Sequence, residues 1–589
     1  MAKKFLPIFM TACMVASMTA CGSSNNGPAT TAAPATTTAK ADNGGAETTA
    51  AGGDTQAAET TELITGAPAP EIDESELDGV KFRETRHITV EVYDRGNDGG
   101  TDPTNNMYTE YIKKGVLETH NIEVEFVKVP RWTETDELNN LLAAQTAPDI
   151  CVTYSYPTIQ KYADMGGVQD LSGLIEEYKG SIPNLTSWLG DANIYYDKDP
   201  STGVLWAIEG KRNDVKRICT FVRRDWLSAL GLNAPTTTQE FEDMLHAFKD
   251  RASELPVDDA SKVVPFSVST DIGWRCAPII ESFIDPNITD RDNYINGFDD
   301  RKVTEPGTKE AIRLVNKWYN DGLLPHDFAL YGSGDTTEDD TIKAGYVGSF
   351  CHNWDYPFRN GEDSINANLK RLIGDDAAFV ACDPFTASDG SHPKYLYSAA
   401  GDRKLFFPVT NDEPLASLLY LDWISAPEHI EYLQIGDEGV THEKLEDGTV
   451  SLMAATGDPI MNSGNNIDYT ITCNGLKLSS PELTIKSQAY GYAANDPAIV
   501  EGAIKIAMVD GISPLNVNVG AITAEADVGE TLTSKRDQIY DQSVGAAADA
   551  FDSVWDEYYN DYLASGGQAI IDERTEKWEQ YHGSDTMLS

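Results

Sequence analysis

The sequence predicts an α/β fold with mainly parallel sheets, and three stretches carry that prediction. Ile88, Val90 and Val92 alternate as on a strand with one buried face, and Ile122, Val124 and Phe126 repeat the pattern. Between them Met107, Tyr111, Ile112 and Val116 recur at helical spacing. Strand, helix and strand at this separation make a βαβ unit, whose crossover leaves the two strands parallel. Roughly 505 residues follow the N-terminal tract, too many for one small core and suited to two lobes.

The elements follow in order. The first strand ends in Tyr93-Asp94-Arg95-Gly96. After the second strand, a helix with Leu138, Leu141 and Leu142 on one face leads into "APDICVT" (147–153), a third short strand. That strand delivers Tyr154-Ser155-Tyr156-Pro157 to a loop at its C-terminal end, where ligands of open parallel sheets sit. The stretch "GVLWAIE" (203–209) is predicted to cross between lobes. Thr237 and Glu240 fit a capping box ahead of a helix buried through Phe241, Met244, Leu245 and Phe248. Residues 263–269 read as a strand ending in a loop that carries Trp274. A helix through Ile312, Val315 and Trp318 stops at Gly322, and residues 344–354 read as a strand returning to the first lobe. Helical periodicity dominates 497–511 and 533–582, giving a helical C-terminal region. Trp226 and Trp318 are expected in the core, and Arg95 and Arg223 as salt-bridge partners.

Lys3 and Lys4 precede an apolar stretch, 5–20, that is too short and too broken by Pro7 and threonines to span a bilayer of about 30 Å. A basic start, an apolar middle and small residues before a cut site describe a secretory signal. Met18-Thr19-Ala20-Cys21 resembles the lipobox of bacterial lipoproteins, which implies that Cys21 is acylated and becomes the mature N-terminus. Residues 22–80 hold almost no large apolar side chains and cannot offset the entropy of ordering. As a coil of ~60 residues they span roughly 40–45 Å. The expectation is a signal peptide (1–20), a disordered tether (21–84) and a body exported and anchored to the outer face of the cell membrane.

The composition, 41% hydrophobic and 24% charged, is that of a soluble globular protein. A net charge of −49 argues against nucleic acid as a partner, because phosphate binding needs a basic face. Residues 285–300 are rich in acids but lack the loop spacing of an EF-hand, so no cofactor is expected, with a structural calcium left open. Cys151, Cys219, Cys276, Cys351, Cys382 and Cys473 show no zinc spacing. They could pair in an exported protein or stay as buried thiols.

The order of "LLAAQTAPDI", "MGGVQDLSGLIEEY", "GVLWAIEG", "RRDWLSALGLNAPTTTQEFEDML", "KWYNDGLLPHDF", "AGYVGSFCHNW" and "GDEGVTHEKLEDGTV" resembles the extracellular solute-binding proteins of carbohydrate ABC importers, in the lipoprotein branch related to maltose-binding proteins. The resemblance covers about 86–583. It implies a two-lobed periplasmic-binding-protein-like fold of type II, with 85–212 plus 345–407 as lobe 1 and 213–344 plus 408–589 as lobe 2. It also implies a monomer that takes an oligosaccharide between its lobes and docks on membrane permease subunits.

A sugar presents apolar C–H faces and hydroxyls that need partners, so its site needs flat rings and planar hydrogen-bonding groups. Loops at strand ends or crossings supply Tyr154, Tyr156, Trp206, Glu209, Trp274, Asn353, Trp354 and Asp355 as ligand-binding candidates. Tyr154 and Trp354 fall where resembling proteins carry sugar-stacking aromatics, and Glu209 where they often place a hydroxyl acceptor. Arg131, Tyr490 and Tyr492 are rim candidates at best. No catalytic residue is assigned: His442-Glu443 lacks a second His, and Ser391-His-Pro-Lys394 lacks the partner motifs of its class. A glycan-active hydrolase, or a ligand sensor on the same scaffold, is the alternative.

Overall fold

The strands that position the site are β1 (Arg86–Asp94), β2 (Ile122–Pro130), β3 (Cys151–Thr153), β4 (Ile208–Glu209), β5 (Ile218–Arg223), β6 (Val264–Ser267), β7 (Val347–Asn353), β8 (Phe379–Cys382) and β9 (Lys404–Phe406). The structure, a computed structural model, describes residues 67–68 and 74–581 apart from 96–101, 191–192, 195–197, 333–334, 400–401, 454–467, 516, 521 and 526–527. The expected signal peptide, Cys21 and most of the tether lie outside the described residues.

The βαβ unit forms as its periodicity predicts. β1 and β2 pair in parallel from Arg86↔Ile122 to Asp94↔Pro130. The helix between them, Met107–His120, is started by Asn106, whose side chain accepts from the Tyr108 and Thr109 N–H groups. Val90 bridges in parallel to Ile150 beside β3, while β9 runs antiparallel to both β3 and β4. These contacts make the sheet order β2-β1-β3-β9-β4. Ile88, Val90 and Val92 pack with Ile112, Val116 and the wholly buried helix Pro414–Ile424.

The second sheet has the order β6-β7-β5-β8. β7 is parallel to β6 but antiparallel to β5, and β8 is antiparallel to β5. Both sheets are therefore mixed, because the strands next to the crossings run against their neighbours. Trp226, Phe241, Phe248, Phe266 and Trp318 fill the core beneath, with Trp226 and Trp318 fully buried as expected.

The order of packing departs from the expected division. β7 does not return to the first sheet: Phe350 packs with Phe221, Phe358 and Phe379 around the second. The first core draws on segments within 82–208 and 405–471, and the second on segments within 218–385 and 489–570. Core residues between 347 and 385 thus pack in the second core, and those from Leu415 to Leu433, with Tyr469 and Ile471, in the first, opposite to the expected division. A strand apolar on both faces satisfies either sheet, so its hydrophobicity does not choose a partner.

Three crossings link the cores side by side. The Gly210 N–H donates to the Arg403 carbonyl (2.7 Å), Arg212 to Ala399 (2.8 Å) and Tyr397 to Val215 (2.8 Å). The third crossing joins through Lys211 to Thr472 (2.9 Å) and Asn213 to Asn474 (2.7 Å). The predicted crossing at 203–209 lies one step earlier in the chain, inside the first core: Leu205 and Ile208 are buried there. All six cysteines of the body are buried and unpaired. No described helix is long and apolar enough to cross a membrane.

Candidate functional site

Beyond the C-terminal ends of β1, β2 and β3, three aromatic residues gather with arginines. Tyr154, after β3, stacks on Tyr93 of β1 with ring centroids 6.2 Å apart and planes within 14°. The Arg131 guanidinium, just past β2, lies 4.3 Å from the Tyr154 centroid and 5.4 Å from that of Trp132. Trp132 is 72% exposed, a flat ring open to solvent at the edge of this cluster. Glu134 holds Arg131 in place (3.0 Å) and accepts from the Tyr154 N–H. Arg95 lies 5.9 Å from the Tyr93 ring and is fixed by Asp468 through two hydrogen bonds of 2.5 and 2.8 Å. Burial works against the Arg95 charge, but the bonds to Asp468 outweigh it and raise its pKa.

The second sheet contributes a matching arrangement. Trp274 has the Arg217 guanidinium 5.1 Å and the Arg301 guanidinium 4.6 Å from its ring, and its Nε1–H donates to the Asn353 Oδ1 at 3.2 Å. Glu281 holds Arg217 (3.1 Å), and Asp271 holds Arg301 through two bonds of 2.7 and 2.8 Å.

The crossings connect the two groups without a break. Arg217 lies 5.7 Å from the Tyr397 ring, which has Arg212 at 4.7 Å. Arg212 pairs with Asp402 (2.7 Å), Asp402 with the fully buried Arg403 (3.3 Å), and Arg403 with Asp468 (3.9 Å), the partner of Arg95. Burial alone would raise the Asp402 carboxyl, but Arg403, Arg212 and the Asn474 amide more than reverse that and lower it. A chain of stacked rings and ion pairs therefore runs from Trp274 to Tyr154 through the crossings. Each guanidinium is pre-oriented by a carboxylate, and guanidinium planes present several donors in fixed directions.

The sequence candidates divide accordingly. Tyr154, Trp274 and Asn353 enter this chain, and Glu209 borders it through Lys404 at 2.9 Å, whose ammonium also donates to the Asp402 carbonyl. Trp206 does not enter it: 7% exposed, it packs with Leu138, Tyr162 and Phe406, and Tyr156 leans on the same apolar cluster. Trp354 is 5% exposed, set edge-on against Tyr492 with the Lys216 ammonium 4.9 Å from its ring. Asp355 is engaged by Arg359 (2.7 and 2.9 Å) and the Tyr492 hydroxyl (3.0 Å). Trp206 and Trp354 are thus buried, and Tyr156 and Asp355 half-buried, outside the chain of rings and ion pairs.

Tyr93, Arg95, Trp132, Arg217, Arg301 and Tyr397 are not among the binding candidates read from the sequence, and Arg131 is there only as a rim candidate. The rule that selected Tyr154, a position just past a parallel strand, also selects Tyr93-Asp94-Arg95 and Arg131-Trp132 when applied to β1 and β2. Among the described residues, no group of three or more His, Cys, Asp or Glu side chains could hold a metal ion.

The profile of the bacterial extracellular solute-binding proteins matches residues 107–434, more than half of the chain. The chain belongs to that family. This solute-binding protein is 28% identical over 217 residues to lipoprotein LipO of Bacillus subtilis (strain 168), covering 36% of the chain and 40% of LipO. It is 23% identical over 347 residues to the polygalacturonan/rhamnogalacturonan-binding protein YtcQ of the same strain, covering 57% of the chain and 64% of YtcQ. The match thus spans less than two thirds of either curated relative. An extracellular solute-binding protein from Bifidobacterium longum subsp. infantis superimposes with a TM-score of 0.56 at 15% identity, covering 84% of this chain and 98% of that one. The two-lobed fold is shared.

Proposed function

We propose that this solute-binding protein captures an oligosaccharide between its two lobes and hands it to the permease of an ABC importer, held to the outer face of the membrane by a lipid on Cys21. The observation that carries the reading is the chain of rings and fixed guanidiniums from Trp274 to Tyr154, crossing the hinge through Tyr397. The solvent-open ring of Trp132 offers a stacking face to C–H surfaces, and the guanidinium edges along the chain offer donors to hydroxyls. The relative named for binding polygalacturonan and rhamnogalacturonan points to the same ligand class. The lobes would divide near the crossings, at about 210–217, 383–403 and 472–480. The role is binding and not hydrolysis: Glu134, Asp468, Glu281 and Asp271 are each committed to an arginine.

A thermal-shift panel of neutral and acidic oligosaccharides tests this, since a ligand at 100 times its Kd adds about 2.7 kcal/mol of stability. A hit should also lower the scattering radius of gyration at saturation, because contacts made in the closed form shift the population towards it. A panel with no hit removes the proposal, and a ligand found cleaved by mass spectrometry replaces binding with catalysis.

A further inference from the structure

A cavity of about 330 Å³ lies beside the ring chain and shares Arg217 and Tyr397 with it. Its walls bring together three cations, Arg217, Lys302 and Arg574, against the single carboxylate of Asp300. Tyr294, Phe298, Tyr395 and Tyr397 line the rest with flat apolar surface, the pairing of rings and cations that suits a charged sugar.

Two of the cations are held by hydrogen bonds, and the third is not. Arg217 donates to Glu281 and to the Tyr395 carbonyl, both at 3.1 Å. Arg574 donates to the Tyr294 carbonyl (2.7 and 2.9 Å) and to Glu525 (3.1 Å). Lys302 is buried and makes no side-chain hydrogen bond among the described residues; its ammonium lies 4.0 Å from the Tyr395 ring centroid, and its ion-pair partner, Glu305, is 3.9 Å away. Both Glu305 carboxylate oxygens are buried without a hydrogen-bond partner. Burial pushes Glu305 up to about 7 despite Lys302, which weakens it as a counter-ion near neutral pH. The Lys302 side chain is largely buried, but its ammonium stays open to the cavity, which is large enough for a sugar ring. A ligand carboxylate would supply the hydrogen bonds and charge that Lys302 lacks.

From this geometry we infer that the cavity walled by Arg217, Lys302 and Arg574 is a subsite for the carboxylate of a uronate residue, so that the captured oligosaccharide is an acidic one. The inference rests on the capture reading and narrows its ligand. Against a net charge of −49, such a local cluster of cations also steers an anion to one place.

Calorimetry on the full chain with trigalacturonate and trimannuronate, each against its neutral methyl ester, tests it. At least one acid should bind tenfold or more tightly than its ester, with affinity falling as salt rises. Lys302→Met should cut that acid-to-ester ratio at least fivefold. Arg574→Gln, on a surface helix, should cut it as well and serves if Lys302→Met fails to fold. An equal affinity for acid and ester, or a ratio kept in both variants, overturns the subsite. Binding of neutral oligosaccharides with neither uronate bound overturns the subsite alone and leaves the capture reading standing, whereas silence from both sets sinks the two together.

Discussion

At the scale of single residues, tryptophan shows how burial decides function. Trp132 and Trp206 have the same side chain, but one ring is open to water and the other is packed against Leu138 and Phe406. Trp132→Ala should leave the unfolding free energy within about 0.5 kcal/mol of wild type, as exposed positions do. In a sugar complex it should weaken binding by more than about 1 kcal/mol, or roughly fivefold and upwards. Trp206→Ala should do the reverse and lose about 3–5 kcal/mol of stability by opening a cavity. Denaturant unfolding and calorimetry on both variants separate the roles. If Trp132→Ala binds as wild type does, that ring is no part of the site. Trp354 belongs with Trp206, because its ring is enclosed by Tyr492 and Lys216.

At the scale of elements, local signals were legible and pairings were not. The βαβ unit, the capped helix Thr238–Asp250 with its four predicted buried residues, and the helix through Trp318 are all written in periodicity and caps. The partner of β7 is not, because Val347, Phe350 and Cys351 suit any buried sheet. Tyr154 was legible as a residue just past a strand, whereas Arg217 and Tyr397 owe their place to the pairing of crossings distant in sequence. The crossings themselves depend on close backbone approach. A Cβ on Gly210 would come within 2.7 Å of the Ile471 carbonyl and 3.5 Å of that of Arg403, both main-chain atoms that cannot swing aside. Gly210→Ala should therefore push the first and third crossings apart and cost about 1–3 kcal/mol. Thermal unfolding measures this, and a variant as stable as wild type would show that the crossings can part at that point without cost.

For the whole molecule, the dominant quantity is charge: −49 over 589 residues, with carboxylates buried where they cannot easily ionise. Burial raises Glu305 to about 7 and Asp541 to about 7, and Asp537 and Asp271 add repulsion at the second. A carboxyl whose folded pKa lies above its unfolded value holds its proton longer when folded. Its contribution is complete below the unfolded pKa, about 4, and is lost as pH rises towards 7, by up to about 1.4 kcal/mol per pH unit for each group. His120 and His429, lowered by burial, act in the opposite sense below about 6.5, and Asp402, lowered by its arginines, matters below about 4. The double variant Glu305→Gln, Asp541→Asn isolates the raised pair, because the histidines and Asp402 are common to both proteins. Relative to wild type it should gain stability steadily from pH 5 to pH 7.5 in denaturant unfolding at fixed ionic strength. Added salt, which screens surface repulsion but reaches buried groups far less, should raise both proteins together and leave the difference in place. A difference that stays flat with pH would mean that both carboxyls ionise in the fold as freely as in water.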